Sequence, residues 1–136
     1  MAITYTILHE FPGSELENAW REFLARVELP SHYCAPAFFK EPFWGGKQPF
    51  AVLALDDGKV LGVATGLREG HHVQCGLPFR PQFCIEATAN QREVELALRG
   101  GLVEEGGSAQ LLSIYSWNPI DSFQEDGFRF LRNLVC

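Results

Sequence analysis

Few residues in this chain have the type and spacing to do chemistry. Glu86 stands between a run of apolar segments and a helical one, where a carboxylate could take a proton from an amine. The same residue also fits an ordinary loop carboxylate. Tyr115 closes an apolar stretch and reads equally as a strand tyrosine whose hydroxyl reaches water. His71 and His72 are neighbours beside a turn. On a strand they point to opposite faces, which makes them a poor metal pair. His9, His32, Asp56 and Asp57 have no partner at a useful spacing. Ser113 lacks a nearby histidine and the glycines of a nucleophile elbow, so no hydrolase is indicated. The cysteines are Cys34, Cys75, Cys84 and Cys136. They contain no CxxC pair and no zinc spacing, so no metal site is expected. They read as free, mostly buried thiols in a reducing cytosol, with a Cys75–Cys84 disulfide as the alternative.

The elements that must position these residues are easier to read. The clearest is an antiparallel hairpin, Phe50–Leu55 and Val60–Leu67, turning at Asp56-Asp57-Gly58-Lys59. Its first arm is apolar at every position, which predicts burial on both faces. Gly62, Ala64 and Gly66 lie along one face of the second arm and would let a helix or another backbone approach closely. A third strand is expected at about His72 to Leu77, completing a meander, with a short strand at Phe83–Ile85.

Two helices flank the hairpin in sequence. Leu16, Ala19, Trp20, Phe23, Leu24 and Val27 recur at helical spacing, and Ser14 with Glu17 reads as a capping box. Asn90 with Glu93 is a second capping box, opening a helix to about Glu105 with Val94, Ala97, Leu98 and Leu102 on its inner face. Gly106-Gly107 should end it. An N-terminal strand over Ile3–Leu8, a short helix near Ala35–Lys40, a strand over Leu111–Tyr115, a short helix near Ile120–Glu125 and a last strand over Phe128–Val135 complete the order. The aromatic segment Tyr33–Trp44 either walls a substrate groove or packs over the sheet.

Bulk properties set the frame. The 136 residues suit one α/β domain over positions 1–136, 46% of them hydrophobic. A net charge of −6 argues against nucleic acid or an anionic membrane as partner. No apolar run approaches the roughly 18 residues of a membrane span. Met1–His9 lacks the basic and apolar regions of a signal peptide, so a cytoplasmic location is expected.

The order strand, helix, irregular segment, three-strand meander, helix, strand, short helix, strand resembles the GNAT acyltransferase fold, a mostly antiparallel sheet with helices on both faces. Three local features carry the resemblance. They are DDGKVLGVA at Asp56–Ala64, the strand Leu111–Trp117 ending in Asn118, and Asp126-Gly127-Phe128. The aromatic stretch Pro30–Trp44 is similar to the N-terminal half of FemAB and CelD-like proteins, which carry two such folds in tandem. The resemblance implies acetyl-CoA or another acyl-CoA as cofactor, contacted by Gln91, Arg92 and Asn118. It also implies catalytic roles for Glu86 as base and Tyr115 as acid. A second GNAT-like half, or a homodimer formed through the Phe128–Val135 edge, is the implied partner.

The chain departs from the pattern at the cofactor loop. GNAT proteins have small residues there, letting backbone N–H groups reach a pyrophosphate at a helix N-terminus. Here Glu86-Ala87-Thr88-Ala89-Asn90-Gln91-Arg92 is followed by Glu93, Val94 and Glu95, with no glycine. Glutamates in a first turn complement the helix dipole and repel a pyrophosphate. The expectation is a GNAT-like domain without a competent acyl-CoA site, serving as a supporting, substrate-binding or dimerising half. The alternatives are a working small N-acetyltransferase and a non-enzymatic interaction module that recruits a strand at its sheet edge.

Overall fold

The computed structural model describes residues 3–27, 34–40, 45–75, 83–86, 90–107 and 111–114. Its elements run β1 (Thr4–Leu8), α1 (Ser14–Arg26), a 3-10 turn (Pro36–Lys40), β2 (Gln48–Asp56), β3 (Lys59–Glu69), β4 (His72–Cys75), β5 (Phe83–Ile85), α2 (Gln91–Glu105) and β6 (Leu111–Ile114). The sheet order is β1-β2-β3-β4-β6, with β5 also paired to β3. Among the described residues, all pairings are antiparallel except β4 with β6, which is parallel.

The β2–β3 hairpin turns through Asp57 and Gly58, with φ of 49° and 82°. Positive φ at both central residues marks a type I′ turn, whose twist matches that of the strands it joins. Gly58 adopts this conformation without strain, and aspartate is among the few other residues that tolerate it. Next to the turn, Ala54 faces Gly62 while Leu55 faces Val60, so Leu61 is an extra residue in β3. This bulge re-aims the strand. Val60 points into one core, and Leu61 and Gly62 both point toward the other.

The sheet is covered on both faces. On one, α1 lays Trp20 and Phe23, both fully buried, against Ala51, Leu53, Val60 and Val63. On the other, α2 lays Val94, Ala97, Leu98 and Leu102 against Phe50, Val52, Ala54, Leu61 and Ala64. Alternate residues of β2 therefore supply alternate cores, which is why that strand has no polar position between Phe50 and Leu55. Each large side chain buried this way contributes about 1.5–3 kcal/mol.

The small residues of β3 do two different jobs. A Cβ on Gly62 would lie 2.5 Å from Val94 Cγ1, so this glycine admits α2. A Cβ on Gly66 would lie 2.2 Å from the Gln74 carbonyl oxygen, so this one admits β4 and the Phe50 ring.

One expectation needs correction. Ser14 is the first helical residue, not the cap. Gly13 is the N-cap and makes no side-chain bond, and its carbonyl accepts from the Glu17 N–H. Glu17 instead accepts from Arg21 Nε at 2.7 Å, one helical turn on. The third strand expected over about His72 to Leu77 is present at His72–Cys75, and Gly76 and Leu77 lie outside the described residues. As expected, α2 ends at Gly106-Gly107, with Gly106 at φ −85°. Tyr33, Phe43 and Trp44 of the aromatic segment, the Ile120–Glu125 helix and the Phe128–Val135 strand lie outside the described residues.

Candidate functional site

The sequence places its most informative chemistry where β5 runs into α2. β4 and β5 share one edge of β3. Cys75 faces Gly66 and Phe83 faces Ala64, so the two strands pair with β3 on either side of Thr65. The other side of β4 carries β6, in parallel register from His72↔Leu111 to Cys75↔Ile114. Among the described residues, β5 has β3 as its only strand partner.

Glu86 follows β5 and is bound at every polar group that the structure records. Its N–H donates to the Leu61 carbonyl at 2.9 Å, at the bulge. Its carbonyl accepts from Gln91 Nε2 at 2.8 Å. Its buried carboxylate accepts from Arg26 Nε at 2.9 Å, and Arg26 Nη2 also donates to the Val60 carbonyl at 2.7 Å. One arginine from the last turn of α1 thus ties together the β3 bulge and the entry to α2. The carboxylate read as a possible base is committed to a guanidinium. Sequence reading missed Arg26 because sixty residues separate it from Glu86.

The α2 N-terminus is capped internally. Asn90 Oδ1 accepts from the Glu93 N–H at 3.2 Å, satisfying one of the donors a helix leaves open there. Glu93 is the acidic residue of the first turn, and Glu95 falls beyond it. Gln91 and Arg92 are exposed on this turn, with the Gln91 amide bonded back to Glu86. The structure therefore joins Gln91 to Glu86, with Arg92 next to Gln91 in the first turn of α2. Tyr115 and Asn118, the remaining candidates, lie outside the described residues, just after β6.

At the far end of α2, the buried Glu105 carboxylate meets His9 Nε2 at 2.7 Å and Arg68 Nε at 3.5 Å. Arg68 Nη2 also donates to the Glu105 carbonyl. The Arg68 guanidinium offsets a negative charge at the helix end where the dipole disfavours it. His71 is exposed in the β3–β4 turn and His72 opens β4. No cluster of potential metal ligands occurs among the described residues. No helix among them is long and apolar enough to cross a membrane.

Cys34, Cys75 and Cys84 are free thiols. Cys75 packs in the α2-side core and Cys84 against the α1-side core, which removes the Cys75–Cys84 bridge as an alternative. Burial pushes the Cys75 thiol up to about 12.

Over 100% of its length and 97% of the other chain, this chain matches an aminoglycoside acetyltransferase from an uncultured soil metagenomic sample, with TM-score 0.61 and 13% identity. The fold is that of the GNAT acetyltransferases. A GNAT-family acetyltransferase from Streptococcus pneumoniae gives TM-score 0.60 at 12% identity over 99% of this chain and 97% of its own. AAC(6′)-Iy, solved with the bisubstrate analogue CoA-S-monomethyl-acetylneamine, gives 0.63 at 14% over 100% and 97%. No protein-family model matches the chain, and no curated protein does. The GNAT resemblance read from Asp56–Ala64 thus agrees with the architecture.

Proposed function

We propose that this GNAT-fold chain is a single domain that does not hold acyl-CoA at its α2 N-terminus, and that it acts as a supporting, substrate-binding or pairing half beside a second GNAT-like domain. The carrying observation is how the α2 entry is filled. The Asn90 side chain takes the Glu93 N–H that an anion would use. The Glu93 carboxylate adds negative charge in the same turn. The Gln91 amide is bonded to Glu86, whose carboxylate is paired with Arg26. A pyrophosphate needs open N–H groups and close backbone approach, and the sequence from Phe83 to Glu95 contains no glycine to allow it. These residues do not fit the cofactor the fold implies, so no catalytic step is assigned through it.

Calorimetric titration with acetyl-CoA and with coenzyme A tests this reading. No saturable heat is expected up to millimolar ligand. Saturable binding in the micromolar range would overturn it.

The second reading is a working N-acetyltransferase, favoured by full-length alignment with AAC(6′)-Iy in its bisubstrate complex. In that reading Glu86 and Tyr115 are the catalytic candidates, with Gln91, Arg92 and Asn118 toward the cofactor. Saturable binding with acetyl transfer lost in Tyr115→Phe would support it.

A further inference from the structure

Two thiols the fold brings together have no part in the site described above. Cys34 precedes the 3-10 turn, and Cys84 is the middle residue of β5, about fifty positions later. Both border the α1-side core at Trp20 or the cluster around it. The Cys34 carbonyl accepts from Trp20 Nε1 at 2.6 Å, and Cys84 packs on the cluster that contains Trp20. Their side chains are hydrogen-bonded to each other. Cys34 is buried and Cys84 partly exposed, so a reagent reaches Cys84 first.

We propose that Cys34 and Cys84 are a reactive dithiol that a hydroperoxide converts to an intramolecular disulfide, cross-linking the 3-10 segment to the strand that leads into α2. Cys84 is the attacking sulfur and Cys34 the resolving one. The bond from Cys34 holds the Cys84 thiol below its usual range, and that contact with burial pushes the Cys34 thiol up. The Cys84 thiolate attacks the peroxide, the O–O bond breaks, and an alcohol (or water) leaves with one proton. Cys84 becomes a sulfenic acid. The Cys34 sulfur then displaces its hydroxyl as water and the S–S bond forms. Overall, two thiols and one hydroperoxide give one disulfide, one alcohol and one water. The two sulfur atoms are each oxidised by one electron and the peroxide is reduced by two.

The bridge would form beside Glu86, two residues past Cys84, whose contacts to Arg26, Leu61 and Gln91 set the α2 entry. It would also close a long loop, which restricts the unfolded chain.

The test is to treat the folded wild-type protein with a slight excess of hydrogen peroxide, alkylate, digest without reduction and map the peptides. The expected product is a Cys34–Cys84 cross-linked peptide that dithiothreitol reverses. The oxidised protein should also melt higher, on the order of 10 °C. In Cys34→Ala, Cys84 should stop at a sulfenic acid captured by dimedone. Should that variant fail to fold, the wild-type map decides alone. Bridges through Cys75, Cys136 or a second chain would overturn the proposal. So would Cys84 running on to sulfinic acid while Cys34 stays alkylatable after unfolding.

Discussion

Arg26 Nε lies 2.9 Å from Glu86 Oε1, joining the last turn of α1 to the residue that follows β5. The carboxylate is buried and the arginine side chain 29% exposed. Arg26→Ala would strand a buried charge, and should cost about 2–3 kcal/mol after allowing for solvent around the guanidinium. Arg26→Lys should recover only part, since an ammonium cannot span both Glu86 and the Val60 carbonyl. Urea unfolding with an unchanged m-value checks both.

The two helix starts behave differently although their sequences look alike. Asn90→Ala removes a cap that accepts from Glu93 and should cost about 1 kcal/mol. Ser14→Ala removes no capping bond and should stay within about 0.5 kcal/mol. Thermal denaturation of the pair separates a capping residue from a first-turn serine.

Gly66→Ala should destabilise more than Gly62→Ala. The added methyl at 66 meets the Gln74 carbonyl, which is backbone in a paired strand. At 62 it meets first the ends of Val94 and Leu98, which can shift. Losses of about 3 kcal/mol or more and about 1–2 kcal/mol are expected. Equal values in urea titrations would count against this packing.

At the other end of α2, Arg68→Ala should cost about 2–3 kcal/mol and His9→Ala under about 1 kcal/mol. Arg68 contacts both the carboxylate and the carbonyl of Glu105, whereas His9 is 65% exposed. A larger effect at His9 would reverse the assignment.

The Cys75 thiol sets a pH dependence. Its folded-state value is raised from the ordinary 9.0 to about 12 by burial, so the folded chain keeps a proton that the unfolded chain releases. That contribution is intact below about pH 9 and is lost as pH rises toward 12, at up to about 1.4 kcal/mol per pH unit. Cys75→Ala should flatten the decline of stability over this window, measured by urea titrations at successive pH values.

Local pattern alone determined the hairpin, because Asp57-Gly58 accepts positive φ and an unbroken apolar run can only sit between two cores. It also determined both helices, since Trp20–Phe23 and Val94–Leu98–Leu102 repeat at the helical period. The acidic, glycine-free stretch around Glu93 was likewise visible in the order of residues. What only the tertiary structure decided are relationships across the chain. A guanidinium sixty residues away commits the Glu86 carboxylate. The bulge at Leu61 and the placing of β4 and β5 on one edge of β3 arise from register between strands, which no single strand encodes. Spacing offered Cys75 as the partner of Cys84. The sheet puts those two in opposite cores and brings Cys34 to Cys84 instead, because which thiols meet depends on which face each strand residue points to.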